Sequence, residues 1–258
     1  MMKLKYIFLI SLIFIINFKV SSETLVSDFS DDTVEISARF NGTELLLFGA
    51  VEWKKNDDLI ISVTGPRKNI TVYEKSKISN IWLNTDSILF KNIPSYYYVA
   101  INSSANGNDK LNVLKSVNLG YQNLEFLAEN PFNKNITYFK NTRLNQEKWE
   151  NALINKMEKS NRWKFLDNNN VKIIKNKLFR LPLDLPDNIM PGIYNVQIIH
   201  LRNQKVIAKE ISSISVLKTG LEAQIYSFAH NYSMFYGIFA IVFAIFSGYL
   251  AAVAFRKV

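Results

Sequence analysis

The chain has 258 residues, with 31 Lys and Arg against 22 Asp and Glu, and its formal net charge is +9. The basic residues are scattered and form no patch, which argues against nucleic-acid binding. Cysteine is absent and histidine occurs twice. This composition excludes disulfides, thiolate metal sites and cysteine nucleophiles, and it argues against a histidine-rich zinc site. We expect no metal or other cofactor.

The first 22 residues have the organisation of a secretory signal peptide. A short basic segment, Met1–Lys5, precedes the apolar stretch Tyr6–Phe18, and small residues lead up to Ser22. An uncleaved signal anchor is the alternative, but this apolar stretch is short for a membrane-spanning helix. We predict cleavage after Ser22, so that the mature chain starts at Glu23 outside the cytoplasm.

The external domain, residues 23–232, begins with a pattern of short β-strands. Val34–Phe40 alternates apolar and polar residues, as a half-buried strand does. Glu44–Val51 contains a continuous apolar run, which suits a central strand covered on both sides. Turn signals such as Asn56–Asp58 separate these segments from the further predicted strands Leu59–Thr64, Ile70–Tyr73, Ile81–Leu83, Ile88–Phe90 and Tyr96–Ile101.

At about residues 109–167 the apolar period changes to a helical one. Apolar residues recur at spacings of three and four over Leu111–Leu124 and again over Trp149–Met157. A stretch rich in asparagine, with Pro131 before it, separates the two patterns. We therefore predict an α-helical insertion in the external domain.

Strands return after the insertion, at Val171–Ile174 and Leu178–Leu183. Pro191–Ile199 and Val206–Leu217 are predicted to pair as a hairpin across a polar turn at Arg202–Gln204. Many short strands with turn signals between them are typical of a β-sandwich. The whole pattern predicts a mainly β fold, namely an immunoglobulin-like β-sandwich interrupted by the helical insertion and followed by one C-terminal helix.

The C-terminal helix is predicted to span a membrane. Ser233–Phe255 is 23 residues long without a charge, and such a helix measures roughly 34 Å, enough to cross a bilayer core. The positive-inside rule applied to Arg256 and Lys257 places residues 256–258 in the cytoplasm and residues 23–232 outside. A buried helix of a soluble protein is the alternative. The lipid bilayer is thus the first expected partner.

Small residues recur every four positions along this helix, at Ala240, Ala244, Gly248 and Ala252. Such spacing lets two helix backbones approach closely in lipid, where van der Waals contact drives association. The alternative is that alanine and glycine are simply frequent in membrane helices. If the stripe is a contact surface, its partner is another membrane protein or a second copy of this chain.

The best local candidate for a ligand site combines Trp82, Asn84 and Asp86 with Tyr96. Polar and aromatic side chains near a strand end are able to line a groove for a small polar ligand. Alternatively, Asn84 and Asp86 shape a turn while the aromatic residues enter the core. A hydrolase would need His200 or His230 beside a serine and a carboxylate, and we expect both histidines to be structural.

Five motifs occur in order along the mature chain: Gly42–Ala50, Trp82–Ser87 with Pro94–Tyr97, Leu178–Arg180, Pro191–Tyr194, and Ile225–His230 leading into Tyr236-Gly237. Together they resemble those of the alphaproteobacterial putative transmembrane protein family. The resemblance spans nearly all of the mature chain, and it implies an inner-membrane protein with a periplasmic domain in a Gram-negative bacterium. It supplies no activity.

The sequence therefore favours a non-enzymatic accessory or interaction subunit of a membrane complex, for example of a transporter. A periplasmic solute-sensing or ligand-binding module is the second hypothesis, and it requires a pocket near residues 82–98. A periplasmic hydrolase is the third.

Overall fold

The computed structural model describes residues 25–103, 108–129, 143–166 and 170–255. The predicted signal peptide, residues 1–22, and the predicted tail, residues 256–258, lie outside the described residues. Within the described residues the fold is mainly β, with a few helices and a last, strongly apolar helix. The prediction of a β-rich chain with helices in its middle and one apolar C-terminal helix is confirmed.

The described part of the chain contains thirteen strands, which form three sheets. In chain order they are β1 (Leu25–Phe29), β2 (Thr33–Ile36), β3 (Thr43–Val51), β4 (Asp57–Thr64), β5 (Arg67–Ile78), β6 (Ile81–Pro94), β7 (Tyr97–Asn102), β8 (Leu127–Glu129), β9 (Trp163–Leu166), β10 (Lys172–Ile174), β11 (Leu178–Leu185), β12 (Gly192–Arg202) and β13 (Lys205–Lys218).

The described residues also form four α-helices and one 3-10 turn. They are α1 (Asn108–Ser116), the 3-10 turn Tyr121–Asn123, α2 (Arg143–Lys159), α3 (Leu221–Asn231) and α4 (Ser233–Phe255). The predicted helical pattern over 111–124 stops early, because Asn118 (φ 54°) and Gly120 (φ 97°) adopt left-handed backbone conformations that end a helix. The predicted insertion also contains two strands, β8 and β9.

Two of the sheets pack face to face around one hydrophobic core. A four-stranded sheet has the order β1-β3-β11-β10, and a six-stranded sheet has the order β2-β13-β12-β4-β7-β9. Leu47 and Leu181 from the first sheet and Ile61, Tyr98 and Val196 from the second belong to this core. The pairs β2–β13 and β7–β9 are parallel, whereas the other pairs in these two sheets are antiparallel.

The six-stranded sheet is covered on its other face as well. Residues 57–63 of β4 are all buried. Ile60 of β4 and Val99 of β7 pack in a second core with Phe90 of the β5-β6-β8 sheet and Leu153 of α2. Since both faces of β4 are covered, it is buried on both sides, as is its neighbour β7.

The prediction that Glu44–Val51 is covered on both sides was wrong. In β3, Leu45 and Leu47 are buried, whereas Leu46 and Phe48 are 39% and 41% exposed. The third sheet and α2 cover the six-stranded sheet, but none of the described elements covers the outer face of the four-stranded sheet. The apolar run therefore places every second side chain in solvent.

The predicted strands Ile81–Leu83 and Ile88–Phe90 are parts of one strand, β6. It pairs with β5 across a two-residue turn at Ser79 and Asn80, whose φ angles of 47° and 70° are those of a tight hairpin turn. Residues 84–86, for which a turn was the alternative prediction, stay extended in β6. They absorb a register shift opposite Glu74 and Lys75.

The predicted hairpin between β12 and β13 is confirmed. The two strands pair antiparallel, and the turn residues Asn203 and Gln204 have φ angles of 51° and 62°. Only Thr219 and Gly220 separate β13 from α3, and Tyr232 alone separates α3 from α4. The folded β domain is therefore joined to the apolar helix by a short connection.

Candidate functional site

The four predicted ligand residues do not form one groove. Trp82 is 65% exposed near the β5–β6 turn, and Asn84 and Asp86 are exposed on the same strand. Tyr96 is 1% exposed and lies just beyond the far end of β6. At about 3.3 Å per residue, roughly 40 Å of strand separates Trp82 from Tyr96. Ligand binding by any of these residues separately stays a prediction.

Tyr96 and Tyr98 connect the two packed sheets. The Tyr96 hydroxyl donates to the carbonyl of Asp184 at 2.8 Å, and the Tyr98 hydroxyl donates to the carbonyl of Pro182 at 3.3 Å. Burial raises the pKa of Tyr96 well above its usual value, so the hydroxyl keeps the proton that it donates. In this position Tyr96 is part of the core, and its polar tip is satisfied by backbone.

His200 lies in the interior and His230 lies on α3. The His200 Nε2 donates to Asp57 Oδ2 at 2.9 Å, and the histidine side chain is completely buried. The His200 ring also stacks on Trp53, with ring centroids 6.0 Å apart. The exposed His230 stacks on Tyr226 at 3.9 Å. The histidine that meets a carboxylate is therefore out of reach of a substrate.

Asp57 is the centre of a buried polar cluster that sequence reasoning missed. Both of its oxygens accept from Arg202, from Nε and Nη2 at 2.8 Å each, and the N–H of Lys54 donates to Oδ2. Burial would raise the pKa of Asp57, but hydrogen bonds from Arg202, Lys54 and His200 together hold it below its usual 3.8. The sequence predicts a turn at Asn56–Asp58, whereas in the structure Asp57 is already the first residue of β4.

The next residue, Asp58, is also buried, but its surroundings disfavour the charged form of its carboxyl group. The Ser103 hydroxyl donates to Asp58 Oδ1. Burial nevertheless raises the pKa of Asp58 above its usual 3.8, and the negative charge of Asp57 adds to this. The two adjacent carboxylates therefore differ, with Asp57 stabilised as a charge and Asp58 destabilised as one.

The outer face of the four-stranded sheet carries the main candidate interaction surface, which we call the outer-sheet patch. Cross-strand pairing aligns Val26, Ala50, Leu178 and Ile174 in one row across all four strands. Beside this row lie Phe48 and the pair formed by Leu46 and Pro182. The exposed apolar members of the patch are Val26 (55%), Leu46 (39%), Phe48 (41%), Ile174 (37%) and Leu178 (51%).

Charged residues border the outer-sheet patch, with an acidic residue on one side and basic residues on the other. Phe48 is paired with Asp28 on one side and with Arg180 on the other, and Arg180 is paired in turn with Lys172. A shallow cleft of about 370 Å³ opens between Leu46 and these two basic residues. An apolar patch of this kind with a charged border is typical of a protein–protein contact surface.

A second cleft lies where α1 meets the 3-10 turn. It measures about 330 Å³ and has mainly apolar walls, with polar side chains among its lining residues. Its lining comprises Leu111, Leu114, Lys115, Leu119, Gly120, Tyr121, Gln122, Asn123, Glu158 and Phe165. This cleft does not include any of the four predicted ligand residues.

Helix α4 has the length and composition of a membrane span. Its 23 residues have a mean hydropathy of 2.4, and none is buried against the rest of the described chain. A Cβ added at Gly248 would meet no atom within 4 Å beyond the adjacent residues and the surrounding backbone of α4, and the same holds at Gly237. The two glycines are eleven residues apart, about three helical turns, so they share one face of α4. Gly237 therefore extends the predicted small-residue stripe toward α3.

Comparison with known proteins identifies the family of the chain. No curated protein matches it. A family model described as putative transmembrane protein (Alph_Pro_TM) matches residues 24–257, which includes the β domain and α4. The chain therefore belongs to the alphaproteobacterial putative transmembrane protein family.

Proposed function

We propose that this protein is a single-pass inner-membrane protein whose β domain acts in the periplasm as the interaction subunit of a membrane complex, for example of a transporter. The proposal includes a signal peptide cleaved after Ser22, an immunoglobulin-like sandwich in residues 23–232 and a cytoplasmic tail at 256–258. The outer-sheet patch is the observation that carries it.

The outer-sheet patch supports an interaction role because of its continuity. Five large apolar side chains are exposed on one sheet face and adjoin one another through strand pairing. Soluble surfaces usually scatter such side chains singly, and a contiguous patch marks a contact. The partner surface would be apolar at its centre, with an acidic group facing Arg180 and Lys172.

Helix α4 supplies a second contact to the same complex. Its small-residue face, from Gly237 to Ala252, would pack against a helix of the partner within the bilayer. Two contacts on one chain act cooperatively, because the first holds the second at a high effective concentration. A weak contact through the outer-sheet patch is then sufficient, since the membrane helix keeps the partners together.

Replacing Phe48 with Glu tests the proposal at the outer-sheet patch. Because Phe48 is exposed, we expect Phe48→Glu to leave the unfolding temperature nearly unchanged and to weaken the complex at least tenfold, since the patch would have to bury a carboxylate. The measurement is the size distribution of the complex extracted from native membranes in mild detergent.

Ile211→Glu is the matched control, since Ile211 is 63% exposed on β13, in the other sheet. We expect this variant to keep the complex intact. Equal complex sizes for Phe48→Glu and the unchanged protein would remove the patch from the proposal.

The cleft at α1 favours a second candidate function, the binding of a small, largely apolar solute. Its volume and apolar walls resemble those of small-molecule sites. A bound solute would raise the unfolding temperature in a concentration-dependent way. Leu111 lines this cleft and is 42% exposed. Leu111→Trp, which adds a larger side chain to the lining, should abolish that rise, and a rise that persists in the variant would place the ligand elsewhere.

A further inference from the structure

The β5–β6 hairpin projects from the β domain as an exposed arm, residues 75–84. Its base packs in the second core through Val72 and Phe90, whereas residues 81–86 are all exposed. Four residues on each strand, 75–78 and 81–84, extend the arm by roughly 13 Å. An isolated two-stranded ribbon has little stability in water, so we expect the arm to contact another surface.

The two faces of the arm differ in chemistry. Strand pairing puts Ile78, Ile81 and Leu83 on one face, with exposures of 50%, 62% and 46%. The other face carries Trp82 opposite Lys77, with Lys75 next to them. Residues 75–84 contain two lysines and no acidic residue. The tip is therefore apolar, aromatic and cationic at once.

This combination fits the surface of a bilayer with anionic headgroups. Tryptophan prefers the membrane interface, short aliphatic side chains enter the acyl boundary, and lysine is attracted to anionic lipid. The charge of the arm complements such a surface, whereas a protein groove would have to supply its own acidic groups. The choice of occupant rests on this complementarity and on the position of the domain next to a membrane helix.

A short connection joins the β domain that carries the arm to the apolar helix α4. The β domain ends at Lys218, and α3, with 11 residues, is the main element between it and α4. A helix of that length spans about 16 Å. We propose that the hairpin arm docks onto the bilayer that α4 enters, with Trp82 at the headgroup level and Lys75 and Lys77 on anionic lipid. This inference is independent of the outer-sheet patch, which lies in a different sheet.

Fluorescence of the full chain in lipid nanodiscs tests this docking directly. The chain has four tryptophans, of which Trp149 and Trp163 are buried, Trp53 is half-buried and Trp82 is exposed. Helix α4 contains none. In nanodiscs containing phosphatidylglycerol, dibrominated phosphatidylcholine should quench a component of the emission that is missing from Trp82→Phe. Equal emission with brominated and plain lipid would overturn the proposal.

Neutralising the two lysines tests their assignment to anionic lipid. Each lysine near an anionic bilayer is expected to raise the ratio of docked to free arm about fivefold. Lys75→Gln combined with Lys77→Gln should therefore lower this ratio roughly 25-fold. The matched control is Lys205→Gln with Lys209→Gln, two exposed lysines on β13, which should leave the quenching unchanged.

Two further outcomes would contradict the proposal. Equal quenching in pure phosphatidylcholine would show that anionic lipid is not the ligand. If Trp82 in the native complex were shielded from aqueous acrylamide but not quenched by brominated lipid, the arm would be bound to protein instead. Circular dichroism of each variant verifies that the fold is kept.

Discussion

Asp57→Asn will lower the free energy of unfolding by about 3 kcal/mol, because it removes the negative charge from a largely buried ion pair. Arg202 donates to both oxygens of Asp57, through Nε to Oδ1 and through Nη2 to Oδ2. An asparagine in either orientation turns its amide NH₂ toward one of these donors. The measurement is chemical unfolding of the full-length protein in mild detergent, followed by the fluorescence of the buried tryptophans.

Asp58→Asn is the matched control one residue away. Its side chain keeps an oxygen that accepts from Ser103, and it removes a charge that burial already disfavours. We therefore expect stability to change by less than about 1 kcal/mol, in the stabilising direction. Equal losses for the two variants would show that the Asp57 cluster has no special electrostatic role.

The difference between Asp57→Asn and the unchanged protein will also depend on pH. The pKa of Asp57 in the folded state lies below its ordinary 3.8. The ionised carboxylate therefore stabilises the fold above that ordinary value, and this contribution is lost as the pH falls through the lowered folded pKa. The two unfolding curves should converge on acidification. Asp58, whose folded pKa is raised, works in the opposite sense and loses stability as the pH rises through that region.

The second large effect is expected at Gly248. A Cβ at this position meets no atom within 4 Å other than the adjacent residues and the surrounding backbone of α4 itself, so we expect the isoleucine to leave the β domain and α4 unperturbed. Between two closely packed helices the same side chain would force the backbones apart. We expect Gly248→Ile to weaken the membrane complex at least tenfold, as measured by the fraction of partner retained on purification in mild detergent.

Val253→Phe is the matched control for bulk, since it lies on the opposite side of α4 from the small-residue stripe. It adds volume toward lipid and should retain the complex. Retention of the partner by Gly248→Ile would show that the small residues are not a contact surface.

The sequence predicted the β-rich character, the β12–β13 hairpin and the apolar helix Ser233–Phe255, because each depends on local period and length. It misjudged Glu44–Val51 for a physical reason. In the sequence, a run of apolar residues has the same pattern whether the strand is covered on both faces or exposes one face as an interaction surface. What decides between them is a third layer, and the described part of the chain supplies that layer to the six-stranded sheet only.

The functional residues were harder to predict than the elements. Trp82 and Tyr96 are both aromatic and close in sequence, yet one lies on an exposed arm and the other in the core, because β6 runs on past the expected turn. Asp57 was hidden for a similar reason. Its partner Arg202 is 145 residues away along the chain, and only strand pairing brings them together.

Photo-crosslinking at two positions in intact membranes tests the central claim most directly. A photoreactive residue is placed at Phe48 in the outer-sheet patch and, in a separate variant, at Ala244 in the α4 stripe. Ile211 and Phe246 are the controls on other surfaces. The account predicts that Phe48 and Ala244 capture the same membrane protein, or a second copy of this chain in both cases, and that the controls do not. Capture of different proteins at the two positions, or the same yield at all four, would contradict it.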